Sequence, residues 1–521
     1  MSYRVVIPTA GIGSRLGNFT KYLNKSLISL NHKPTISYII EMFPKNCEFV
    51  IPLGYKASVV RDFLEITYPN KKFFFVNIKP FKGKGSGLGL TLIKCKKYLQ
   101  QPFVFISCDT IVNGKIRPPN HNWMGYYRVN NSLEYRTLKI NKKNITQIHE
   151  KKENKSTQNA YIGLSGIKDY KIFWDSMSSN NKKVIVEGES YGFKKLINFK
   201  KVKSYSYKWF DTGNIKNLNI AKNHFKKNNA PNILEKKEEA IWFVGDNVIK
   251  FSNDKKFIKN RILRAKELEG YVPTIQNFRE NMYLYNKIKG STLSEIINTE
   301  LFEKFMSQMK KFWIRNTLSK KKELEFRSAC LSFYKVKTYD RLKLFYKNFD
   351  LKDNNTKING KTVPLLSNLL RNIDWIWLSK GIPGRYHGDF HFENILLNEQ
   401  NKFIFLDWRQ DFAGDLVVGD INYDLAKLMH GLIINHGLII SNQYRASWIG
   451  NEINFRFSRK RNLIKCEGML FDFIKKMGYD IKKIKILTSL IFLNIASLHH
   501  FPYSLLLYGL GKKMLYDELN N

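Results

Sequence analysis

A short segment in the second half of the chain carries the residue types that phosphate transfer needs. Asp389 stands in a His-Gly-Asp sequence, Asn394 follows five residues later, and Asp407 comes thirteen residues after Asn394. A base aspartate, a magnesium-binding asparagine and a second magnesium-binding aspartate after a strand are the parts of a site that moves a phosphoryl group. The spacing therefore predicts phosphoryl transfer in this half of the chain.

A glycine-containing loop near the start of the chain predicts a second phosphate site. Gly11 and Gly13 follow an apolar, strand-like run, and two cationic side chains, Arg15 and Lys25, come after them. Glycines let backbone N–H groups approach phosphate oxygens, and the two cations can neutralise triphosphate charge. The loop lacks the Gly-Lys-Ser/Thr of a Walker loop and matches the GxGxxG dinucleotide pattern only in part. A plain tight turn is the alternative.

The first region resembles the nucleotidyltransferases that make activated sugars or alcohols, a family that includes sugar-1-phosphate nucleotidylyltransferases and phosphocholine cytidylyltransferases. The resemblance covers roughly residues 1–225 and depends, in order, on Ala10 to Leu16, Thr20, Lys25, Leu27, Lys33-Pro34 and Gly54-Tyr55. Two positions depart from the family pattern. Asn24 replaces the usual proline before the lysine, and Cys108 replaces the usual glycine before the metal-binding aspartate. Neither change removes a charged group.

This resemblance implies roles for individual residues. Arg15 and Lys25 would be catalytic, and Asp109 and Asp211 would bind Mg²⁺, for which carboxylates are suitable hard ligands. Asp109 follows a strand, at the sheet edge where open α/β sheets bind ligands. A turn residue and a helix cap are the structural alternatives for the two aspartates. The nucleotide-binding residues would be Gly11, Gly13, Gly85, Ser86 and Gly87, and the residues facing the phosphorylated substrate would be Glu150, Lys151 and Gly163.

The second region, roughly residues 240–521, resembles the choline kinase and aminoglycoside phosphotransferase family, which has the protein-kinase-like fold. Beyond the His-Gly-Asp segment, Gly414-Asp415 and Asp424 to Ala426 extend the match. The resemblance implies that Asp389 orients the substrate hydroxyl and accepts its proton. Asn394 and Asp407 would then hold Mg²⁺ on the phosphates of ATP.

Lys250 is the candidate for the lysine that pairs with the ATP phosphates in this family. The carboxylate partner of that lysine is not identified from the sequence. Glu267 and Glu269 lie late in the following helix and are interpreted as surface residues, while the family's earlier glutamate position is occupied by Asn260 or Arg261.

The pattern of apolar residues predicts the elements that position these groups. Four buried runs, residues 3–8, 49–53, 73–78 and 103–107, predict a parallel sheet. Two later runs joined by Gly245-Asp246 predict a hairpin, and the chain from about residue 293 is mainly helical, interrupted by a polar loop at 352–362 and by the compact segment 387–424.

We therefore predict two domains. The first, residues 1–228, is an α/β Rossmann-like nucleotidyltransferase domain with a mixed, GT-A-like sheet. A linker follows at 229–239. The second, residues 240–521, is an α+β protein-kinase-like phosphotransferase domain with a small lobe at 240–290 and a helical lobe at 291–521.

Composition narrows the class of protein less than the motifs do. The 521 residues include 87 Lys and Arg against 44 Asp and Glu, a net charge of +43, but the basic residues are spread along the whole chain. Such a field favours anionic substrates and does not require nucleic acid. Five cysteines without a CxxC pair and the absence of a secretory signal predict a cytoplasmic protein, and no apolar run is long enough to span a membrane.

The leading hypothesis joins the two halves in one bifunctional enzyme. A kinase phosphorylates a small sugar or alcohol with ATP, and a nucleotidyltransferase couples the phosphate to a second nucleotide from CTP, UTP or GTP, with Mg²⁺ in both steps. Capsule or lipooligosaccharide synthesis would use the product. No nucleic-acid partner is expected, and a homo-oligomer is left open. The alternatives are an RNA-binding or RNA-modifying nucleotidyltransferase, and an antibiotic-type kinase with an unrelated fused domain.

Overall fold

The computed structural model describes residues 3–153, 157–178, 181–226 and 238–520. The chain divides into two compact units, one made of Met1–Lys255 and Gln276–Asn286 and the other of Lys256–Ile275 and Lys287–Asn521. Residues 229–237 of the predicted linker lie outside the described residues. The division at 229–239 into two functional domains stays a prediction.

The first unit is built from seventeen strands and seven helices within the described ranges. Its strands are β1 (Arg4–Val6), β2 (Ser29–Leu30), β3 (Lys33–Pro34), β4 (Glu48–Leu53), β5 (Phe73–Asn77), β6 (Phe103–Ile106), β7 (Thr110–Asn113), β8 (Asn122–Arg128), β9 (Thr137–Asn141), β10 (Asn144–His149), β11 (Asn159–Ile167), β12 (Val202–Ser206), β13 (Lys208–Asp211), β14 (Glu239–Val244), β15 (Asn247–Ser252), β16 (Ile275–Arg279) and β17 (Met282–Asn286). Its helices are α1 (Thr35–Glu41), α2 (Ala57–Thr67), α3 (Leu88–Cys95), α4 (Tyr170–Ser178), α5 (Asn181–Glu187), α6 (Glu189–Phe199) and α7 (Ile215–Phe225).

A nine-stranded mixed sheet forms the centre of this unit, in the order β5-β4-β1-β6-β11-β8-β12-β10-β9. The four predicted strands pair in parallel, whereas β11 runs antiparallel to both of its neighbours β6 and β8. Successive side chains of a strand face opposite sides of the sheet, so Val5 and Ile7 pack into one hydrophobic core and Val6 into the other. The carboxyl ends of β1 and β6 therefore open at the same edge, where the glycine loop and Asp109 follow.

The predicted hairpin at Gly245-Asp246 is present and belongs to a four-stranded sheet, β14-β15-β17-β16. Trp242 on β14 is fully buried in the same hydrophobic core as α2. Its ring meets that of Phe63 edge to face at 5.0 Å, and its indole N–H donates to the Ser29 hydroxyl at 3.0 Å. These contacts make the sheet part of the first unit.

The second unit contains twelve helices and nine strands within the described ranges. The helices are α8 (Lys255–Glu267), α9 (Leu293–Ile296), α10 (Thr299–Phe312), α11 (Lys320–Leu331), α12 (Lys337–Phe349), α13 (Leu366–Arg371), α14 (Trp375–Ser379), α15 (Ile421–Ile433), α16 (His436–Ile440), α17 (Arg461–Lys476), α18 (Ile481–Ala496) and α19 (Tyr503–Asn520). The strands are β18 (Gly290–Thr292), β19 (Thr356–Ile358), β20 (Lys361–Val363), β21 (Pro383–Gly384), β22 (Ile395–Asn398), β23 (Phe403–Phe405), β24 (Gly419–Asp420), β25 (Tyr444–Ile449) and β26 (Glu452–Phe457).

The helix α15 is the centre of this unit, because every one of its residues is buried. It packs against α17 and α18, while α18 and α19 pack on each other. A three-stranded sheet, β18-β22-β23, carries the predicted phosphoryl-transfer segment between Asp389 and Asp407.

The interpretation of residues 352–362 as a polar loop is wrong. This segment contains β19 and the start of β20, joined by a turn in which Asn359 and Gly360 have φ angles of 46° and 85°. The hairpin joins β25 and β26 in a four-stranded sheet. Three-residue strands leave almost no alternation to detect, and their pairing with a segment some 95 residues later cannot be seen locally.

No helix in the described part of the chain is long and apolar enough to cross a membrane. All five cysteines are free and buried, as expected without a disulfide framework.

Candidate active sites

The loop after β1 is shaped to bring Lys25 close to the sheet edge. Gly13 has a φ of +73°, and a Cβ at this position would lie 3.1 Å from the Cβ of Lys25. Both facts favour glycine, since other residues rarely adopt this conformation and have no room for a side chain here. The glycine therefore allows the loop to pack directly against the lysine.

Asn24 holds the preceding backbone in place. Its buried amide donates to the carbonyls of Thr9 and Tyr55 at 2.8 and 2.7 Å, and its oxygen accepts from the N–H and hydroxyl of Ser26 at 3.0 and 2.9 Å. Where the family has a proline, hydrogen bonds of Asn24 thus fix the backbone directly before Lys25.

Lys25 and Asp109 form an ion pair, with Nζ to Oδ2 at 2.9 Å and side chains about one-fifth exposed. Burial alone would lower the pKa of Lys25, but the adjacent carboxylate raises it above its ordinary value. Burial alone would raise the pKa of Asp109, and Lys25 holds it below its usual range. Both groups are therefore charged at neutral pH.

Asp211, Asp109 and Arg15 meet around Gly213. A Cβ on Gly213 would lie 3.0 Å from an oxygen of each aspartate and 3.4 Å from the Arg15 guanidinium. The pairing of β7 with β13 produces this arrangement, and the Thr212 N–H donates to the Asp109 carbonyl at 3.0 Å. Two carboxylates and one cation thus converge from three distant parts of the chain.

Asp211 is oriented by its own hydrogen bonds. The Gly213 N–H donates to Oδ1 at 2.8 Å, the Asn217 amide donates to Oδ2 at 2.7 Å, and the Tyr135 hydroxyl lies 3.3 Å from Oδ2. Burial raises the pKa of Asp211, and the charge of Asp109 raises it further. Two mutually repelling carboxylates fit a divalent cation.

Two carboxylates are hard oxygen ligands of the kind that Mg²⁺ takes. Within the described ranges, no group of three or more His, Cys, Asp or Glu side chains could hold a metal ion. The two aspartates would therefore leave most of the coordination to phosphate oxygens and water, which is how Mg²⁺ is usually bound.

A cleft of about 250 Å³ extends from this pair along the sheet edge. Its lining includes Gly11, Lys25, Ser86, Gly87, Cys108 and Asp109. Gly85, with a φ of +83°, lies outside the lining and has no atom within 4 Å of the position a Cβ would take. The structure thus brings four of the seven predicted catalytic and nucleotide-binding residues of this region into one cleft, with Gly13 packed against Lys25 and Arg15 next to Gly213.

The residues predicted to face the phosphorylated substrate differ in their surroundings. Glu150 accepts from Arg136 and from Lys194, each at 2.8 Å. Burial and the nearby charge of Arg15 lower the pKa of Lys151, while the charges of Asp211 and Asp109 act in the opposite direction. Gly163 has a φ of +68°, and a Cβ there would lie 2.6 Å from the Ser107 hydroxyl, directly behind the Asp109 turn.

In the second unit, Asp389 is surrounded by positive charge. Lys427 on α15 lies 2.8 Å from Oδ1, and His391 Nε2 lies 3.6 Å from Oδ2. Burial would raise the pKa of Asp389, but these two groups hold it well below its usual range. Burial would likewise lower the pKa of His391, but Asp389 and Glu393 raise it to about 9. Asp389 is therefore an anion and His391 a cation at neutral pH.

Asn394 and Asp407 lie next to this carboxylate. The Asn394 amide donates to the Asp389 carbonyl at 2.9 Å and to Oδ2 at 3.3 Å, and the Leu406 N–H donates to the Asn394 carbonyl at 2.7 Å. Asp407 has a φ of +57° and forms an ion pair with Arg261 of α8. One backbone hydrogen bond therefore joins the two segments, and the amide oxygen of Asn394 and the carboxylate of Asp407 are suitable ligands for Mg²⁺.

A buried aspartate fixes the loop that carries the base. Both oxygens of Asp424 accept backbone N–H bonds at 2.7 Å, one from His387 and one from Gly388. The His387 ring lies 2.9 Å from the Leu406 carbonyl, and burial lowers its pKa to about 3. The histidine is therefore neutral and joins the Asp389 loop to the Asp407 loop.

The other residues considered for ATP binding lie as follows. Lys250 lies on β15 in the first unit and is buried. Glu267 and Glu269 are exposed on the second unit, and Arg261 is buried beside Asp407.

Several site residues had no signal in the sequence. Lys427 lies within a buried helix, Asn24 is a departure from the family pattern, and Asn217 and Tyr135 contact Asp211 from 6 and 76 residues away. His391, two residues after the base, lies 3.6 Å from the Asp389 carboxylate. Asp424, in contrast, did carry a signal, because it extends the second motif.

Two comparisons match parts of the chain to known proteins. Residues 346–451 match the phosphotransferase enzyme family, APH. The bifunctional protein GlmU of Methanococcus vannielii is 24% identical over 258 residues, which cover 47% of this chain and 60% of GlmU. The chain therefore spans about 60% of the length of this curated relative.

Solved structures of nucleotidyltransferases also match part of the chain. The CTP:phosphocholine cytidylyltransferase LicC of Streptococcus pneumoniae is 17% identical, covers 43% of this chain and 100% of its own, and has a TM-score of 0.37. A UDP-glucose pyrophosphorylase from Acinetobacter baumannii is 16% identical, covers 43% of this chain and 93% of its own, and has a TM-score of 0.36.

The predicted resemblance and fold class are confirmed. The N-terminal region resembles sugar-1-phosphate nucleotidyltransferases and has a Rossmann-like mixed sheet. The C-terminal region contains a kinase-like phosphotransferase domain of the APH family.

Proposed function

We propose that the chain is a bifunctional enzyme that carries out two consecutive steps. The phosphotransferase part, residues 240–521, moves the γ-phosphoryl group of ATP to the hydroxyl of a small sugar or alcohol. The nucleotidyltransferase part, residues 1–228, joins that phosphate ester to a nucleotide from CTP, UTP or GTP and releases pyrophosphate. Residues 229–239 link the two parts.

The observation that carries the first half of the proposal is the convergence of Lys25, Asp109, Asp211 and Arg15 at one end of the cleft. An oxygen of the phosphate ester attacks the α-phosphorus of the nucleotide, and the bond to pyrophosphate breaks. Lys25 and Arg15 stabilise the negative charge of the leaving pyrophosphate, while the Gly11 and Gly13 loop accommodates its oxygens. Ser86 and Gly87 contact the nucleoside, with Gly85 shaping the turn before them.

Lys151, Glu150 and Gly163 lie on the acceptor side of the same site in this proposal. Lys151 binds the incoming phosphate, Glu150 keeps Arg136 and Lys194 in place beside it, and Gly163 leaves room behind Asp109. Bound to Asp109 and Asp211, Mg²⁺ would stabilise charge on the phosphates as a Lewis acid.

The phosphotransferase half depends on Asp389. Lys427 and His391 keep this carboxylate ionised, so it orients the acceptor hydroxyl and accepts its proton as the oxygen attacks the γ-phosphorus of ATP. Asn394 and Asp407 would hold Mg²⁺, which offsets phosphate charge, and Lys250 would pair with the ATP phosphates. In this proposal both steps take place in the cytoplasm, where nucleoside triphosphates are available, and the product supplies capsule or lipooligosaccharide assembly.

The test is a product analysis with the full chain. The protein is incubated with ATP, Mg²⁺, each of CTP, UTP and GTP, and a panel of alditols, amino alcohols and hexoses, and products are identified by mass. The γ-phosphate of ATP is isotopically labelled. We expect the label in the phosphate next to the acceptor in a nucleotide-linked product. A phosphorylated acceptor that the first site uses only after a mutase is added would contradict the consecutive-step proposal.

A further inference from the structure

Two more basic side chains, Arg409 and Lys337, lie near the loop that carries Asp389. Arg409 packs against the residue before the base, since a Cβ on Gly388 would lie 2.6 Å from the Arg409 Cβ. The Arg409 N–H donates to the His387 carbonyl at 2.9 Å. The Arg409 side chain therefore leaves the backbone directly next to the Asp389 loop.

Lys337, the first residue of α12, reaches the same place from another element. Its Nζ lies 4.2 Å from the ring centre of Phe333, and the Arg409 guanidinium lies 4.5 Å from the same ring. The Lys337 ammonium also lies 5.7 Å from the ring centre of Tyr423. Tyr423 is one helical turn before Lys427 on α15. Lys337 and Arg409 thus share the Phe333 ring, and Lys427, which pairs with the base, lies one turn from Tyr423; the three basic residues are called the cationic cluster.

The cationic cluster contains fewer carboxylates than basic side chains. Asp389 is committed to Lys427, and among the described residues neither Lys337 nor Arg409 forms an ion pair with a carboxylate within 4.0 Å. Burial and the charges of Arg409 and Lys427 lower the pKa of Lys337 well below its ordinary value. The aromatic ring offsets only part of this repulsion, so an anionic ligand would relieve it.

From this geometry we infer that the phosphoryl acceptor is itself an anion, a small hydroxyl compound bearing a carboxylate or phosphate group. The inference rests on the proposed phosphotransferase function, because the acceptor hydroxyl must reach Asp389. Its anionic group then lies against Lys337 and Arg409. Lys337 comes from α12, a different element from the Asn394 and Asp407 segments proposed for ATP. A cationic amino alcohol would be repelled.

The test compares matched acceptors that differ in charge. Glycerol, glycerate, glycerol 3-phosphate and choline are each supplied to the full-length protein with ATP and Mg²⁺, and ADP and the phosphorylated product are measured. We expect kcat/KM for an anionic acceptor to exceed that for glycerol by about tenfold or more, the gain of one charge-assisted contact. Glycerate and glycerol 3-phosphate distinguish a carboxylate from a phosphate.

Variants separate acceptor binding from ATP binding. Lys337→Gln should raise KM for the anionic acceptor by about tenfold with KM for ATP unchanged, and Lys337→Arg should restore it. Lys343→Gln, an exposed lysine on the same helix, is the control. Preference for glycerol or choline, or a Lys337→Gln effect on ATP alone, would overturn the inference and leave the kinase proposal standing. Transfer to no acceptor of any charge would overturn the kinase proposal, and the inference with it.

Discussion

The Trp242 indole donates a hydrogen bond to the Ser29 hydroxyl at 3.0 Å, although 213 residues separate them. The tryptophan comes from the sheet β14-β15-β17-β16, which follows the predicted linker and carries Lys250, whereas the serine belongs to β2 near the start of the chain. The strand segment predicted as a kinase small lobe is thus packed into the core of the first unit.

We predict that Trp242→Ala destabilises the first unit by about 3 to 5 kcal/mol, because it removes a fully buried ring and its hydrogen bond. Thermal or denaturant unfolding followed by circular dichroism measures the effect. Phe278→Ala on the same sheet is the control, since Phe278 is 56% exposed, and should change stability by about 0.5 kcal/mol or less. Equal effects of the two substitutions would contradict the packing argument.

Asp109→Asn should reduce nucleotidyl transfer by on the order of 10²-fold or more. The substitution removes the charge of one of the two converging carboxylates, and this carboxylate is also the partner of Lys25. Pyrophosphate release measures this activity, and ADP production from the acceptor should continue. Loss of both activities in a folded variant would count against two separable sites.

Asp389→Asn keeps the shape of the second site but removes the group that accepts the proton. ADP formation should fall sharply, while nucleotidyl transfer persists when the phosphorylated acceptor is supplied. Circular dichroism checks that the variant is folded, since Lys427 and His391 lose their charged partner. Near-normal phosphoryl transfer would show that Asp389 is not the base.

Because of Lys512, we predict that the free energy of unfolding increases as the pH rises above about 8. Its side chain is fully buried, it donates to the Asn354 carbonyl at 2.8 Å, and burial lowers its pKa to about 8. The unfolded chain then binds more protons than the native chain between about pH 8 and the ordinary lysine value near 10.4, so this group adds stability as pH rises through that range, on the order of 3 kcal/mol.

The matching measurement is the melting temperature of the wild type and of Lys512→Met from pH 7 to 10.5. The advantage of the wild type over the variant should grow with pH. Lys513→Met serves as the control, because Lys513 is partly exposed and pairs with Asp517 at 2.7 Å. A difference between wild type and Lys512→Met that stays constant with pH would contradict the assignment.

Local patterns predicted the parallel strands and the placement of Asp109, because a buried strand and the residue that follows it are close in sequence. The contacts of Asp109 with Lys25 and of Asp389 with Lys427 join positions 84 and 38 residues apart. The β19–β20 hairpin and the packing of Trp242 also depend on partners far along the chain. These features depend on tertiary contacts between distant parts of the chain, which the local pattern of apolar residues cannot predict.

The burial of all five thiols has a practical consequence for labelling. Burial raises the pKa of Cys108 to about 11, that of Cys95 to about 12 and that of Cys466 to about 11, so little thiolate forms at neutral pH. A cysteine introduced at an exposed position, such as Ile449, which is 77% exposed, would react with a maleimide dye far faster than the native ones. Site-specific fluorophores can therefore be attached without first removing any native cysteine.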